Sequence, residues 1–99
     1  DADAVAALHI LARSRPELRL LQEGLDLVIP SAQQAILLEV KVQAALGDPS
    51  PAVTVGQMKG VRPDTVRQSV KRALDKLRHL ATADPHFAPL GDLPLLASA

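Results

Sequence analysis

Eight prolines punctuate the 99 residues, and their positions constrain the fold more than any other feature. Proline lacks a backbone N–H and clashes with the preceding turn, so it is excluded from helix interiors but accepted at the first helical position. Pro16, Pro30, Pro51 and Pro63 therefore cut the chain into pieces of helix length, and Pro85, Pro89 and Pro94 crowd its end. The Ala- and Leu-rich residues 2–14 predict a first helix, ended where Pro16 restricts Arg15. Pro16 opens a second helix over 16–28, with Leu18, Leu21, Leu25 and Val28 on one stripe and Leu20 and Leu27 on another side. After the break at Ile29-Pro30, Ser31 is the expected N-cap of a third helix over 32–46, stopped by Gly47. Its two apolar sides, Ile36, Leu37, Val40 and Ala44 on one and Leu38, Val42 and Leu46 on the other, mark it as the expected centre of the core.

Gly47-Asp48-Pro49-Ser50-Pro51 is turn chemistry, and Ser50 before Pro51 predicts the start of a fourth helix over 51–59. Ala52-Val53-Thr54-Val55 could instead be a strand, but no partner strand is visible and a lone strand is not stable. Gly60-Val61 makes a turn before the last helix, over 63–81. The expected fold is all-α: a five-helix single domain over 1–82 with a C-terminal helix-turn-helix over 51–81, followed by an extended Pro-rich tail over 83–99. Phe87, Leu90, Leu93, Leu95 and Leu96 make that tail too apolar for a solvated linker. Packing across the helices is its simpler role, and docking on a partner the sharper one.

Length and composition bound the function. The chain supports one modest core. It contains no cysteine, which removes disulfides, thiolate nucleophiles and Cys-based zinc sites and makes a reducing cytoplasm the simplest location. No apolar run approaches the roughly 18 residues of a membrane span, and the N-terminus lacks the order of a signal peptide, so a soluble protein with no membrane contact is expected. Opening on Asp1 rather than Met points to a segment of a longer protein. Phe87 is the sole aromatic, which argues against base stacking on aromatic platforms.

The formal net charge is zero, but the charge is unevenly spread. Residues 1–58 carry Arg13, Arg15, Arg19 and Lys41 against seven acids, a net −3. Residues 59–79 carry Lys59, Arg62, Arg67, Lys71, Arg72, Lys76 and Arg78 against Asp64 and Asp75, a net +5. One face alone should attract polyanions. At 3.6 residues per turn the last helix places Val66, Val70, Ala73 and Leu77 on its apolar side, with Leu74 and Leu80 at the edge. Asp64, Gln68, Lys71, Arg72, Asp75 and His79 lie opposite. Upstream, Val55 is an inward apolar residue, Gly56 is small where two helices approach, Gly60 permits the turn and Val61 plugs its corner. That order suits a helix-turn-helix whose second helix enters the major groove by its N-terminal part.

The stretch "VRPDTVRQSVKRALDKLRHL", Val61 to Leu80, resembles the DNA-reading end of region 4 of the sigma-70 family of bacterial transcription initiation factors. The family's Ile-Arg-Gln and Ala-Leu-Arg-Lys-Leu-Arg-His segments correspond to Val66-Arg67-Gln68 and Ala73-Leu74-Asp75-Lys76-Leu77-Arg78-His79. "IPSAQQAILL" is more weakly similar to the start of that region, so the resemblance spans about Ile29 to Leu80. It implies base readout by Asp64, standing where the family has a base-contacting Glu, and by Gln68, with Thr65 beside them. A carboxylate can accept from cytosine N4 and Gln can pair with adenine. Lys59, Arg62, Arg67, Lys71 and Arg72 are the expected phosphate contacts. Two departures stand out: Pro63 replaces a guanine-contacting Arg, and Lys59 occupies a position that is normally apolar.

No catalytic set is visible. His9, His79 and His86 lack ligand spacing, Gly56 and Gly60 lack a P-loop context, and Ser31, Ser50 and Ser69 have no base and acid nearby. Neither an enzyme nor a bound metal or cofactor is expected. The first functional reading is a sequence-specific reader of double-stranded DNA, a small transcription regulator or a sigma-like module; the chain has no room for the parts that melt a promoter. A homodimer would raise its affinity and set half-site spacing; the first two helices either supply its interface or fold back onto the third. The second reading is an interaction module that binds RNA polymerase or a regulatory partner through the same fold, its charges serving association.

Overall fold

The computed structural model describes residues 4–97, and every regular element among them is helical. The elements are α1 (Ala4–Ala12), α2 (Pro16–Val28), α3 (Ser31–Ala45), α4 (Pro51–Lys59), α5 (Pro63–Ala83), a 3-10 helix (Pro85–Asp92) and α6 (Pro94–Ala97). The all-α class stands, but with seven helices among the described residues in place of five. Ala2 and Asp3 of the expected first helix, and Ser98 and Ala99 of the expected tail, lie outside the described residues.

Pro16, Pro51, Pro63 and Pro85 each open a helix. The residues before three of them, Arg15 (φ −125°, ψ 111°), Arg62 (φ −72°, ψ 149°) and Asp84 (φ −125°, ψ 116°), are held extended, as steric conflict with the following proline ring requires. The Arg15 and Arg62 carbonyls accept the first α-helical bonds, from the Arg19 and Val66 N–H groups, both at 3.1 Å. Of the two expected serine caps, Ser50 stands at the N-cap of α4 and Ser31 does not stand at that of α3. Ser31 lies inside α3 as its first residue, with Pro30 at the N-cap and the Pro30 carbonyl accepting from Gln34 N–H at 2.9 Å. Ser50 occupies the N-cap of α4, but its side chain makes no capping bond. Asp48 organises that junction instead, accepting from the Ser50 N–H at 2.8 Å and from the Thr54 hydroxyl. Those two donors, the Thr54 hydroxyl first, hold the Asp48 carboxyl below its usual range.

The centre of the core is α5 rather than α3. α5 packs against α2, α3, α4, the 3-10 helix and α6. α3 buries Leu37 and Leu38 but runs out into solvent at Val42 and Leu46, the latter 76% exposed. Its polar residues are buried where they have work to do: Glu39 accepts from the Ala4 N–H at the start of α1 (3.0 Å), and Gln34 donates to the Ile29 carbonyl (2.8 Å) and to Asp26 (3.3 Å). A buried carboxylate at a helix N-terminus satisfies an orphan amide and faces the positive end of the dipole.

Apolar packing divides into two clusters. The larger joins α1, α2, α3, the 3-10 helix and α6 to the C-terminal half of α5, around Leu25, Leu37, Ala73, Leu77, Phe87 and Leu90. The smaller consists of buried Ala52 and Val55 of α4 with Val66 of α5, flanked by Ile36, Val40 and Val61. Val70, half-buried, touches both. The whole has a radius of gyration of 13.0 Å, the value expected of one compact domain of about 100 residues.

The expected extended tail is a correction. α5 continues to Ala83, Asp84 accepts from the His86 N–H (2.9 Å), and the chain turns into the 3-10 helix and α6. Phe87, Leu90 and Leu96 are buried. Within the 3-10 helix Phe87 and Leu90 are three residues apart, one turn at three residues per turn, so both face the core, and α6 brings in Leu96 after the chain extends at Leu93. The Arg78 guanidinium donates to the Leu96 carbonyl (3.1 Å), and His86 meets Glu23 of α2 at 3.0 Å, tying the segment down at both ends.

Candidate nucleic-acid interface

The hairpin of α4 and α5 is built by two glycines that have different jobs. Gly60 ends α4 in the left-handed region, at φ 69°, which a residue with a Cβ adopts at a cost. The amides of Gly60 and Val61 both turn back to the Gly56 carbonyl, that of Val61 at 2.9 Å. Gly56 is small because the turn lies on it: a Cβ there would stand 2.7 Å from the Val61 carbonyl oxygen. Val61 packs on the smaller cluster, and Val66 is fully buried beneath it.

This fixes the outward face of α5. All eight residues expected at the interface, Lys59, Arg62, Asp64, Thr65, Arg67, Gln68, Lys71 and Arg72, are exposed. By helical period Asp64, Gln68 and Lys71 stand one above another, with Arg67 on one flank and Thr65 and Arg72 on the other. The hairpin thus presents a short polar centre between two basic edges. Lys59, the last residue of α4, lies in solvent, which accommodates a charge where an apolar side chain would have packed.

The charges are partly engaged with one another. Arg67 reaches back one turn to Asp64 at 2.9 Å, and both side chains are exposed. Lys71 and Arg78 hold Asp75 from either side, at 3.2 and 3.3 Å, and Lys76 donates to Gln33 of α3 at 3.3 Å. Exposed pairs of this kind are worth about 0.2–1 kcal/mol and are easily exchanged for other partners. Asp64, expected to meet a base, is thus restrained by Arg67, expected to meet a phosphate.

The remaining sequence candidates do not converge. His9 lines a shallow cleft with Arg13 and Arg19, His79 lies on α5, and His86 contacts Glu23. Among the described residues there is no group of three or more His, Cys, Asp or Glu side chains that could hold a metal ion, and no helix long and apolar enough to cross a membrane. Sequence reasoning did miss one feature: a groove of about 600 Å³ between α3, α4 and α5, with Val40, Ala52, Val70 and Leu74 on its walls and Lys41, Arg67, Lys71 and Asp75 at its rim. No linear signal announces it, because its walls come from three helices separated in the chain.

No protein-family model, curated protein or solved structure matches the chain.

Proposed function

We propose that this protein is a sequence-specific double-stranded DNA-binding module of the helix-turn-helix type, which reads the major groove with the N-terminal part of α5 and serves transcription in the cytoplasm of a bacterium. The observation that carries the reading is the coincidence of three properties at one helix end: an outward polar triad of Asp64, Thr65 and Gln68, exposed basic residues on both its flanks, and a tightly turned hairpin beneath. Asp64 and Gln68 supply an acceptor for cytosine N4 and a bidentate partner for adenine. Arg62, Arg67, Lys71 and Arg72, with Lys59 across the turn, neutralise phosphates and set the register. In this arrangement Arg67 exchanges Asp64 for a phosphate, which frees the carboxylate as the complex forms.

A selection of duplex DNA from a random pool tests the reading. A preferred sequence should emerge, and Gln68→Ala should relax preference at one position, costing about 1–3 kcal/mol against the best site while leaving other positions unchanged. Enrichment of no sequence by the wild-type protein would sink it.

One observation favours the second reading. Val53 and Met58 of α4, Val42 of α3 and Leu46 at its C-cap are exposed apolar side chains, the kind of surface that a protein partner such as RNA polymerase, or a second copy, would cover. In that case the Asp64 and Gln68 variants would be silent, whereas charges placed at Val42 and Leu46 would abolish association.

A further inference from the structure

The groove between α3, α4 and α5 lies at the seam of the two apolar clusters, which only half-buried Val70 joins. It is open there for a compositional reason. The side chains along the seam are Ala and Val with a single Leu, and the chain's sole aromatic, Phe87, is spent in the larger cluster. Nothing bulky is at hand to close it. Its volume of about 600 Å³ falls within the roughly 300–1,000 Å³ of small-molecule sites, which pair apolar walls with a few well-placed polar groups.

The charged groups here are four cations and one carboxylate. Lys41 enters from α3, and Arg67, Lys71 and Arg78 from α5, against the single carboxylate of Asp75, which Lys71 and Arg78 already hold. Lys41 makes no ion pair among the described residues. A neutral apolar ligand would leave these rim cations in water and gain nothing from them, whereas an acid lying along the walls would meet them with its carboxylate.

We propose that the groove binds an anionic amphiphile, an apolar acid of medium chain length. Its apolar body lies along Val40, Ala52, Val70 and Leu74, and its carboxylate sits between Lys41 on one side and Lys71 and Arg67 on the other. Arg67 and Lys71 are also phosphate contacts of the proposed DNA face, so the acid competes with DNA for them. That consequence rests on the DNA-binding reading; the ligand site does not.

The test is a titration of the isotopically labelled full chain with decanoate below its micelle-forming concentration, followed by amide chemical shifts, with decanol and acetate as controls. Saturable shifts centred on Val40, Val66 and Val70 are expected with decanoate. Acetate should give none, and decanol should bind more weakly. Lys41→Gln combined with Lys71→Gln should lower decanoate affinity about five- to tenfold, as loss of two partly exposed ion pairs allows, and leave decanol within about twofold. Shifts that do not saturate, that centre on another surface, that decanol reproduces at equal affinity, or that the lysine variants leave unaltered each overturn the site. Competition is read separately, with the DNA selected as above: saturating decanoate should raise the apparent Kd for it, and an unchanged Kd at full groove occupancy overturns that consequence while the site stands.

Discussion

The two ends of α5 are one continuous helix under different physical demands. Past Ala73 the helix buries Ala73, Leu74 and Leu77 and is enclosed by α2, α3, the 3-10 helix and α6. Before Ala73 only Val66 is fully buried, Val70 is halfway in, and the rest of the surface is polar or charged. The small cluster of Ala52, Val55 and Val66 anchors that end. At about 1.5–3 kcal/mol for each large apolar side chain buried, it holds the hairpin in place but contributes far less than the larger cluster. One end supplies stability and the other is left exposed. Because the helix is stiff and about 30 Å long, the buried end orients the exposed one.

The contrast breaks most visibly at the buried end. Phe87→Ala removes the largest side chain of the 3-10 helix from against α5 and should cost about 3–5 kcal/mol in chemical denaturation, enough to threaten folding of the whole domain. A loss under about 1 kcal/mol would mean that the segment after Ala83 is an ornament rather than part of the core. Gly56→Ala probes the opposite end. Its Cβ would meet backbone at the turn, not the tip of a flexible side chain, so the hairpin must spread, at about 1–3 kcal/mol. Hydrogen exchange should place the loss in α4 and the first turns of α5, with amides beyond Ala73 opening only in global unfolding. Equal loss of protection along α5 would erase the distinction between its ends.

A smaller effect sharpens the account of what anchors α4. With its carboxyl lowered below the ordinary 3.8 by the Thr54 hydroxyl and the Ser50 amide, Asp48 contributes stability that is complete above its unfolded value and is lost as pH falls through the lower folded one. Asp48→Asn should therefore be slightly less stable than the wild type at neutral pH, and thermal melts of the two should converge in acid below that range. A gap that persisted unchanged in strong acid would show that the carboxylate's charge is not what matters.

How much of this was legible in the chain follows the same division. The proline positions announce where α2, α4 and α5 begin, because a missing N–H is a local property. The 3.6-residue period of Val66, Val70, Ala73 and Leu77 separates the buried from the exposed face of α5, and Gly56, Gly60 and Val61 mark the turn. The segment after Asp84 was misread as extended because Pro85, Pro89 and Pro94 interrupt any long α-helical period, whereas a short 3-10 helix and a one-turn α6 begin at prolines and need none. Ser50 caps α4 by position as its type suggested, but Asp48 rather than its side chain bonds that junction, and Pro30 takes the cap expected of Ser31; residue type reveals neither. The arrangement of α5 at the centre, with the end of α3 in solvent, depends on which helices meet across the fold. The groove at the seam depends on it too, and neither leaves a linear trace.

The most direct test of the central claim, that the exposed end of α5 is a DNA-reading face, is the salt dependence of binding to a selected duplex, compared between the wild type and the double variant Arg67→Ala with Lys71→Ala. The two residues lie in solvent and pair only with exposed acids, so the variant should keep its stability to within about 0.5 kcal/mol. The account predicts that log K falls linearly with log salt in the wild type, that the variant binds more weakly, and that its slope is shallower by about 1.8, two phosphates at roughly 0.9 each. An identical slope in both proteins, or affinity untouched by the substitutions, would contradict it and move the functional surface away from this end of the helix.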